Sequence, residues 1–344
     1  MSIKNWNAGI IRPVAVAPAG PYQNGAAPGV WTLDQVAFWT KQGLWPIAGN
    51  AAPVGFFAGG ATSTANTNVI QYVNITTTGN AIDFGDLITL SFDGSGCSSS
   101  TRGIVAGGQN SNVIQYITIA TAGNSVDFGD LNAQKRGLDG ASNSTRGLFA
   151  GGSNTGSSVT GTLGIYYITI ATTGNAVFFG NLSVAKMWTA SCASTTRAVF
   201  AGGYDNGSVF TSMDYSTIST TGNTTNFGSL TFGYDFNFSG AGSGTRGIFG
   251  GSEAPGKENV IQYITIATTG NTLDFGDLTA ARFSLAACAS SVRVVFGGGY
   301  NSFGVTLNVI DYVTSSTVGN AVDFGDLIAA TYHLSGFSNA HAGI

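Results

Sequence analysis

Charge is what this chain has least of. Asp, Glu, Lys and Arg make up 9% of its 344 residues, against about 25% in an ordinary soluble domain. There are 13 basic and 17 acidic residues with no Lys/Arg cluster, so the phosphate-neutralising footprint of nucleic-acid binding is missing. The only histidines are His333 and His341, which leaves no basis for a Ser-His-Asp or Cys-His constellation. Cys97, Cys192 and Cys288 each stand four residues before a Thr-Arg or Val-Arg pair. At that register they read as small buried hydrophobes, too far apart for disulfides. No apolar run reaches membrane-spanning length. Met1 to Trp6 lacks the apolar core of a secretory signal, so synthesis in a cytoplasm without signal-peptide export is expected.

What the chain does have is repetition. The unit N-V-I-Q-Y-x-T-I-x-T-x-G-N-x-x-D-F-G-D-L recurs six times, with its Tyr at 72, 116, 167, 215, 263 and 312. The T-x-G-N glycines Gly79, Gly123, Gly174, Gly222, Gly270 and Gly319 are spaced by 44, 51, 48, 48 and 49 residues, a period that belongs to an array or propeller. Each copy holds four short β-rich runs between Gly/Asn/Ser turns, with almost no helical periodicity. That is the content of a propeller blade. The T-x-G-N glycines are expected to take φ > 0 in tight hairpins. The recurring Arg (Arg102, Arg146, Arg197, Arg246, Arg293) and Asp (Asp86, Asp130, Asp277, Asp326) are expected to form interblade or turn-fixing hydrogen bonds.

A Gly pair closes the second strand (Gly59-Gly60, Gly107-Gly108, Gly151-Gly152, Gly202-Gly203, Gly250-Gly251, Gly298-Gly299). A Tyr lies on the third and an aromatic precedes the Gly of the fourth. This pattern resembles a kelch blade over roughly residues 52–344, although Phe stands where kelch repeats commonly carry Trp (Phe84, Phe128, Phe179, Phe227, Phe275, Phe324). Leu334 to Ile344 matches a first strand plus turn and then stops, while Val54 to Gly60 supplies a second strand. The expected fold is therefore all-β: a six-bladed kelch-like propeller with four-stranded blades, closed by its N- and C-terminal strands. It would span 51–344, behind a 1–50 arm with one short helix at about 33–42.

Alternating strand direction places the T-x-G-N and Arg turns on one face and the loops after the Gly pairs on the other. The first set hardly varies, whereas the distance from Gly pair to Tyr runs 12, 8, 15, 12, 12 and 13. Variation on a rigid scaffold marks where recognition is housed. Candidate ligand-binding residues on this variable face are Trp188, Tyr204, Phe210, Tyr234, Tyr300, Phe303 and Tyr332, whose rings could stack on sugars or wedge between blades. Phe92, Phe283 and His333 fall on the same face, and His341 on the opposite one. A two-His copper site of the galactose-oxidase kind is thereby poorly supported. No metal or other cofactor is expected.

The arm holds four of the five Trp and five of the seven Pro. Thr32-Leu33-Asp34-Gln35 is a capping box. The segment Ala27 to Gln35, with Gly43-Leu44-Trp45-Pro46 after it, resembles a leader of tailed-phage structural proteins, particularly cyanophage tail-fibre-type proteins. That resemblance implies a virion component. Its arm (Trp6, Trp31, Phe38, Trp39, Trp45) would dock on a tail or baseplate subunit, and its variable face would meet host-surface glycan or another virion protein. A homo-oligomer is expected in such an assembly, and the low charge and short apolar runs lead to the expectation of no nucleic-acid partner and no membrane insertion. A capsid or neck decoration role is one alternative. A polysaccharide-acting enzyme is another, and its catalytic carboxylates should break the repeat instead of following it. A cellular kelch adaptor fits least, since no BTB-like helical domain is present.

Overall fold

The structure, a computed structural model, describes residues 32, 34, 35, 38, 52–154, 159–231, 237–253 and 259–341. The chain divides into two units, Met1–Ala52 and Pro53–Ile344. In the first, Asp34, Gln35 and Phe38 are helical. The capping box forms, with Thr32 N–H donating to Gln35 Oε1 at 2.9 Å and Gln35 N–H to Thr32 Oγ1 at 3.3 Å. Trp6, Trp31, Trp39, Trp45 and Tyr234 lie outside the described residues.

The second unit is a six-bladed propeller of four-stranded antiparallel sheets. In the first blade the strands run outward from the axis as Ser95–Ser98, Arg102–Ala106, Val113–Thr118 and Val126–Asp130. The inner two are short, small-residue and almost wholly buried because neighbouring blades cover both their faces. The third buries Ile114 against the second blade and Ile117 on its other face against the closing blade, and the fourth exposes its first two residues. Four more blades follow in sequence, their innermost strands being Arg136–Ser142, Ala190–Ala193, Ser239–Gly242 and Ala286–Ala289.

The closing blade combines both chain ends, as the termini of the repeat array predict. Ser335–Ser338 pairs with Val54–Ala58, putting Phe337 opposite Phe56. Their rings stack at 5.0 Å, and Val54 N–H donates to Asn339 Oδ1 at 2.8 Å. Six apolar clusters fill the six interblade spaces, each built from two adjacent blades. Hydrophobic burial, the main favourable contribution to folding, is therefore stored between blades.

The T-x-G-N segment turns out to be an interblade staple. Gly123 N–H donates to Phe84 O and Ser125 N–H to Asp86 O, both at 2.8 Å, while Asn124 Oδ1 accepts Asp86 N–H at 3.0 Å. The same three bonds recur at all six interfaces, Gly79 and Asn80 making them across the closure. Gly123, Gly174, Gly222 and Gly319 take the expected positive φ, 154–159°, in the connection between the third and fourth strands. Positive φ recurs at the Gly pairs, for example 67° and 87° at Gly59 and Gly60. The recurring Asp also acts through its backbone, so Asn181 and Ser229 fill the same register without loss of the bond.

The recurring Arg does what its charge suggests. Arg102 donates to Ile170 O and Ala171 O of the next blade while stacking 4.6 Å from the Tyr116 ring centroid, and Arg197 and Arg293 repeat both contacts.

Two further registers show substitutions compensated within the ring. The free, buried Cys97, Cys192 and Cys288 face Gly147, Gly247 and Gly55 of the next blade, and Phe337 faces Gly103. Where the first partner is small, Ala141 and Ala241, the facing cluster carries Ala198 and Val294. The Gln of N-V-I-Q-Y binds linker backbone in several blades, as when Gln115 Oε1 accepts Ile88 N–H at 2.9 Å. In two blades it is Asp, and the linker then supplies a buried cation: Lys186–Asp214 at 3.0 Å and Arg282–Asp311 at 2.8 Å. In another it is Tyr166, and Lys135 lies 5.7 Å from its ring.

Candidate functional site: the axial cup

The linker into each innermost strand places one residue at the mouth of the central channel, four positions before the Cys97 register. The six are Asp93, Gly137, Trp188, Asn237, Ser284 and His333. All have left-handed backbone, with φ between 53° and 61°. Gly137 N–H donates to Asp93 O, Trp188 N–H to Gly137 O, Ser284 N–H to Asn237 O and His333 N–H to Ser284 O, at 2.5–2.8 Å. A hydrogen-bonded collar results, in which the backbone repeats and the side chains do not. Glycine, Asn or Asp suits such a conformation, whereas Trp and His carry a local steric cost of about 1–3 kcal/mol. The indole of Trp188 lies over Gly137, where any side chain would collide with it.

Below the collar is a polar cup of about 90 Å³ lined by the innermost strands. Its floor is a waist of small residues including Gly96, Gly140, Gly240 and Gly336. A Cβ at Gly140 would stand 2.5 Å from the Gly96 carbonyl oxygen, so the strands meet at backbone distance. A second cavity lies below the waist. There His341 Nε2 sits 3.1 Å from Ser98 O and 3.3 Å from Ser142 Oγ, and burial pushes its pKa down to about 4 against the opposing Ser98 bond.

One carboxylate joins three blades. Asp93 contacts His333 Nδ1 and lies 3.2 Å from Arg136 Nη2. Burial opposes its ionisation, but His333, Arg136 and Trp188 together outweigh burial and hold the carboxyl below its ordinary range. Asp139 differs. Its Oδ1 accepts Gly140 N–H at 2.9 Å and the Ser95 hydroxyl at 3.4 Å. Burial outweighs these bonds and raises its pKa to about 7. The equivalent positions carry Ser95, Ala190, Ser239, Ala286 and Ser335, so Asp139 departs from the repeat.

Around the collar, four aromatics touch in succession. Phe283 meets Tyr300 at 5.6 Å, Tyr300 meets Tyr332 at 5.3 Å, and Tyr332 meets Phe92 at 5.9 Å, with His333 against the last two. Trp188 forms a separate group with Tyr204 at 5.8 Å and the Arg136 guanidinium at 5.3 Å. Of the sequence candidates, Tyr300 and Tyr332 thus come together, as do Trp188 and Tyr204, all half-buried. These rings pack against one another, Tyr300 and Tyr332 between neighbouring blades. Phe210 is half-buried in its own loop, and its N–H donates to Gly203 O. Phe303 stands 90% exposed on a turn held by Asn301 Oδ1, which accepts the N–H of Phe303 and of Val305. Phe38 is exposed on its helix.

His333 and His341 fall at opposite ends of the channel, as the strand directions require. The sequence reading missed Asp93, Arg136, Asp139, Asn237 and Ser284. The available signal was unlike residues at one linker register, which is visible once the Cys97 alignment is extended four positions back. Comparison of the chain with protein-family models and with curated proteins finds no match.

Proposed function

We propose that this chain is a non-enzymatic recognition module of the tail-fibre or receptor-binding type, attached to a virion through residues 1–50 and presenting the axial-cup face to host-surface glycan. The observation that carries the reading is the aromatic run Phe283–Tyr300–Tyr332–Phe92 beside a polar mouth. Half-buried rings edged by amides and hydroxyls match the alternating apolar faces and hydroxyl rims of sugars, and the ring needs no cofactor to present them. The kelch-like repeat and the phage-type leader support the setting. Glycan-array binding by the full chain, lost on Tyr300→Ala and Tyr332→Ala, together with immunogold labelling on intact particles, tests it. An array without any binder, or particles without the subunit, overturns it.

One observation favours a second reading, a polysaccharide-acting enzyme. Asp139 breaks the repeat inside a cavity and holds its proton to about pH 7, as a general acid would. Release of reducing ends from a glycan, abolished in Asp139→Asn, would establish it. Intact glycan after prolonged incubation excludes it.

A further inference from the structure

We infer that the axial cup holds one uncharged sugar ring at the terminus of the bound glycan, so that the receptor is recognised end-on. The inference rests on the recognition reading above and adds where, and by which residue of the glycan, the contact is made.

Four observations converge. The cup is bounded below by the glycine waist, where adjacent strands meet at backbone distance, and a separate cavity lies beyond it. Its volume of about 90 Å³ has room for about three waters, enough to seat the edge of one hydroxylated ring at the open mouth and no second one. The collar retains Trp188 and His333 in a left-handed conformation that Gly137 satisfies without a side chain. Both also face the buried Asp93 carboxylate, and unlike side chains carried on one repeated backbone mark where recognition is housed. Finally, the wall carries hydrogen-bonding groups the protein leaves unused. Thr189 Oγ1, Ser335 Oγ and Asp139 Oδ2 have no hydrogen-bond partner, and Thr189 and Ser335 are 7% and 2% exposed.

The chemistry of the ring follows from charge. Asp93 already faces Arg136 and His333, so those charges are paired off. Above about pH 7, where Asp139 in the wall ionises, it would repel a carboxylated or sulfated sugar. Among the described residues no group of three His, Cys, Asp or Glu converges to hold a metal ion. What remains is indole, amide and hydroxyl, with Asn237 offering its Oδ1 while Nδ2 donates to Glu253 Oε2 at 3.1 Å. That set suits a neutral hydroxylated ring stacked on Trp188.

The test uses the full-length protein and a panel of methyl glycosides of neutral hexoses and N-acetylhexosamines, read by saturation-transfer NMR and calorimetry. At least one methyl glycoside should bind and compete with the array glycan, and glycan whose terminal residue is enzymatically removed should bind at least tenfold more weakly. Trp188→Gly and Asn237→Gly each place at the collar the residue that Gly137 already occupies. Each should keep a cooperative melt above the assay temperature while weakening the methyl glycoside at least tenfold. Trp188 is the only tryptophan beyond residue 50, so a fluorescence change on titration that disappears in Trp188→Phe reports the same site. Binding within twofold of wild type in both glycine variants, while Tyr300→Ala abolishes glycan capture, overturns end-on recognition but leaves the recognition reading standing. Absence of any array binder removes both.

Discussion

Replacing Gly247 by Ala puts a methyl group where Cys192 Sγ already sits. The new Cβ would lie 2.2 Å from that sulfur and 3.1 Å from Ile264 Cγ1. Neither neighbour can retreat, because Cys192 and Ile264 belong to one buried interblade cluster. Overpacking of this kind costs about 1–3 kcal/mol. Cys192→Ala alone removes the sulfur and leaves a small void, costing about 1 kcal/mol. The double variant restores the pairing used between the second and third blades, where Ala141 and Ala198 share a cluster. It should therefore be nearly as stable as wild type. The expected coupling between the two changes is about 1–3 kcal/mol in the favourable direction. Urea titration of the four proteins, read from the midpoint at constant m, measures it. If Gly247→Ala shifts the midpoint negligibly, or if the two effects simply add, the size-matching account of this register is wrong.

Three further outcomes follow from the same geometry. Asp311→Asn strands the buried Arg282 guanidinium and should cost about 3–5 kcal/mol; Arg282→Met with Asp311→Gln should recover most of it, since Gln115 and Gln262 occupy that register elsewhere, and a double variant no better than the single one refutes the compensation. Asp139 holds its proton to about pH 7 when folded and to its ordinary 3.8 when unfolded. Its contribution is complete below about pH 4 and is lost as pH rises to about 7, an upper bound of about 4 kcal/mol at about 1.4 kcal/mol per pH unit. Asp139→Asn should thus gain on wild type in thermal melts at pH 8 and not at pH 4; an equal difference at both values would refute this. Ending the chain at Leu334 deletes the strand that pairs with Val54–Ala58, along with Phe337 and Asn339, and an unchanged melting temperature would defeat the closure argument.

The candidate site was only partly legible in the sequence, for a physical reason. Tyr300 and Tyr332 stood out because large rings in variable loops are conspicuous, yet their contact joins the fifth blade to the closing one across 32 positions of chain. Asp93, Arg136 and His333 meet from three blades, and no local spacing announces such a meeting. The Gly-Asn turns were read correctly as scaffold with positive φ at four of the six glycines, but their bonds to the neighbouring blade are contacts between copies and do not show in the repeat.

By itself the sequence determined the number of blades, their four-strand content, the strand that closes the ring and the face on which the copies diverge. Repetition makes these readable, since one supersecondary unit with a fixed hydrophobic pattern can bury its faces only against copies of itself. Only the tertiary structure decided which departures from the repeat face one another. Closing the ring brings six linkers to one axis, turns Asp93, Trp188, Asn237 and His333 into a single mouth, and pairs each thiol with a glycine of the next blade. These are contacts between copies, and a repeat specifies its own interior far more directly than the identity of its neighbour's side chain.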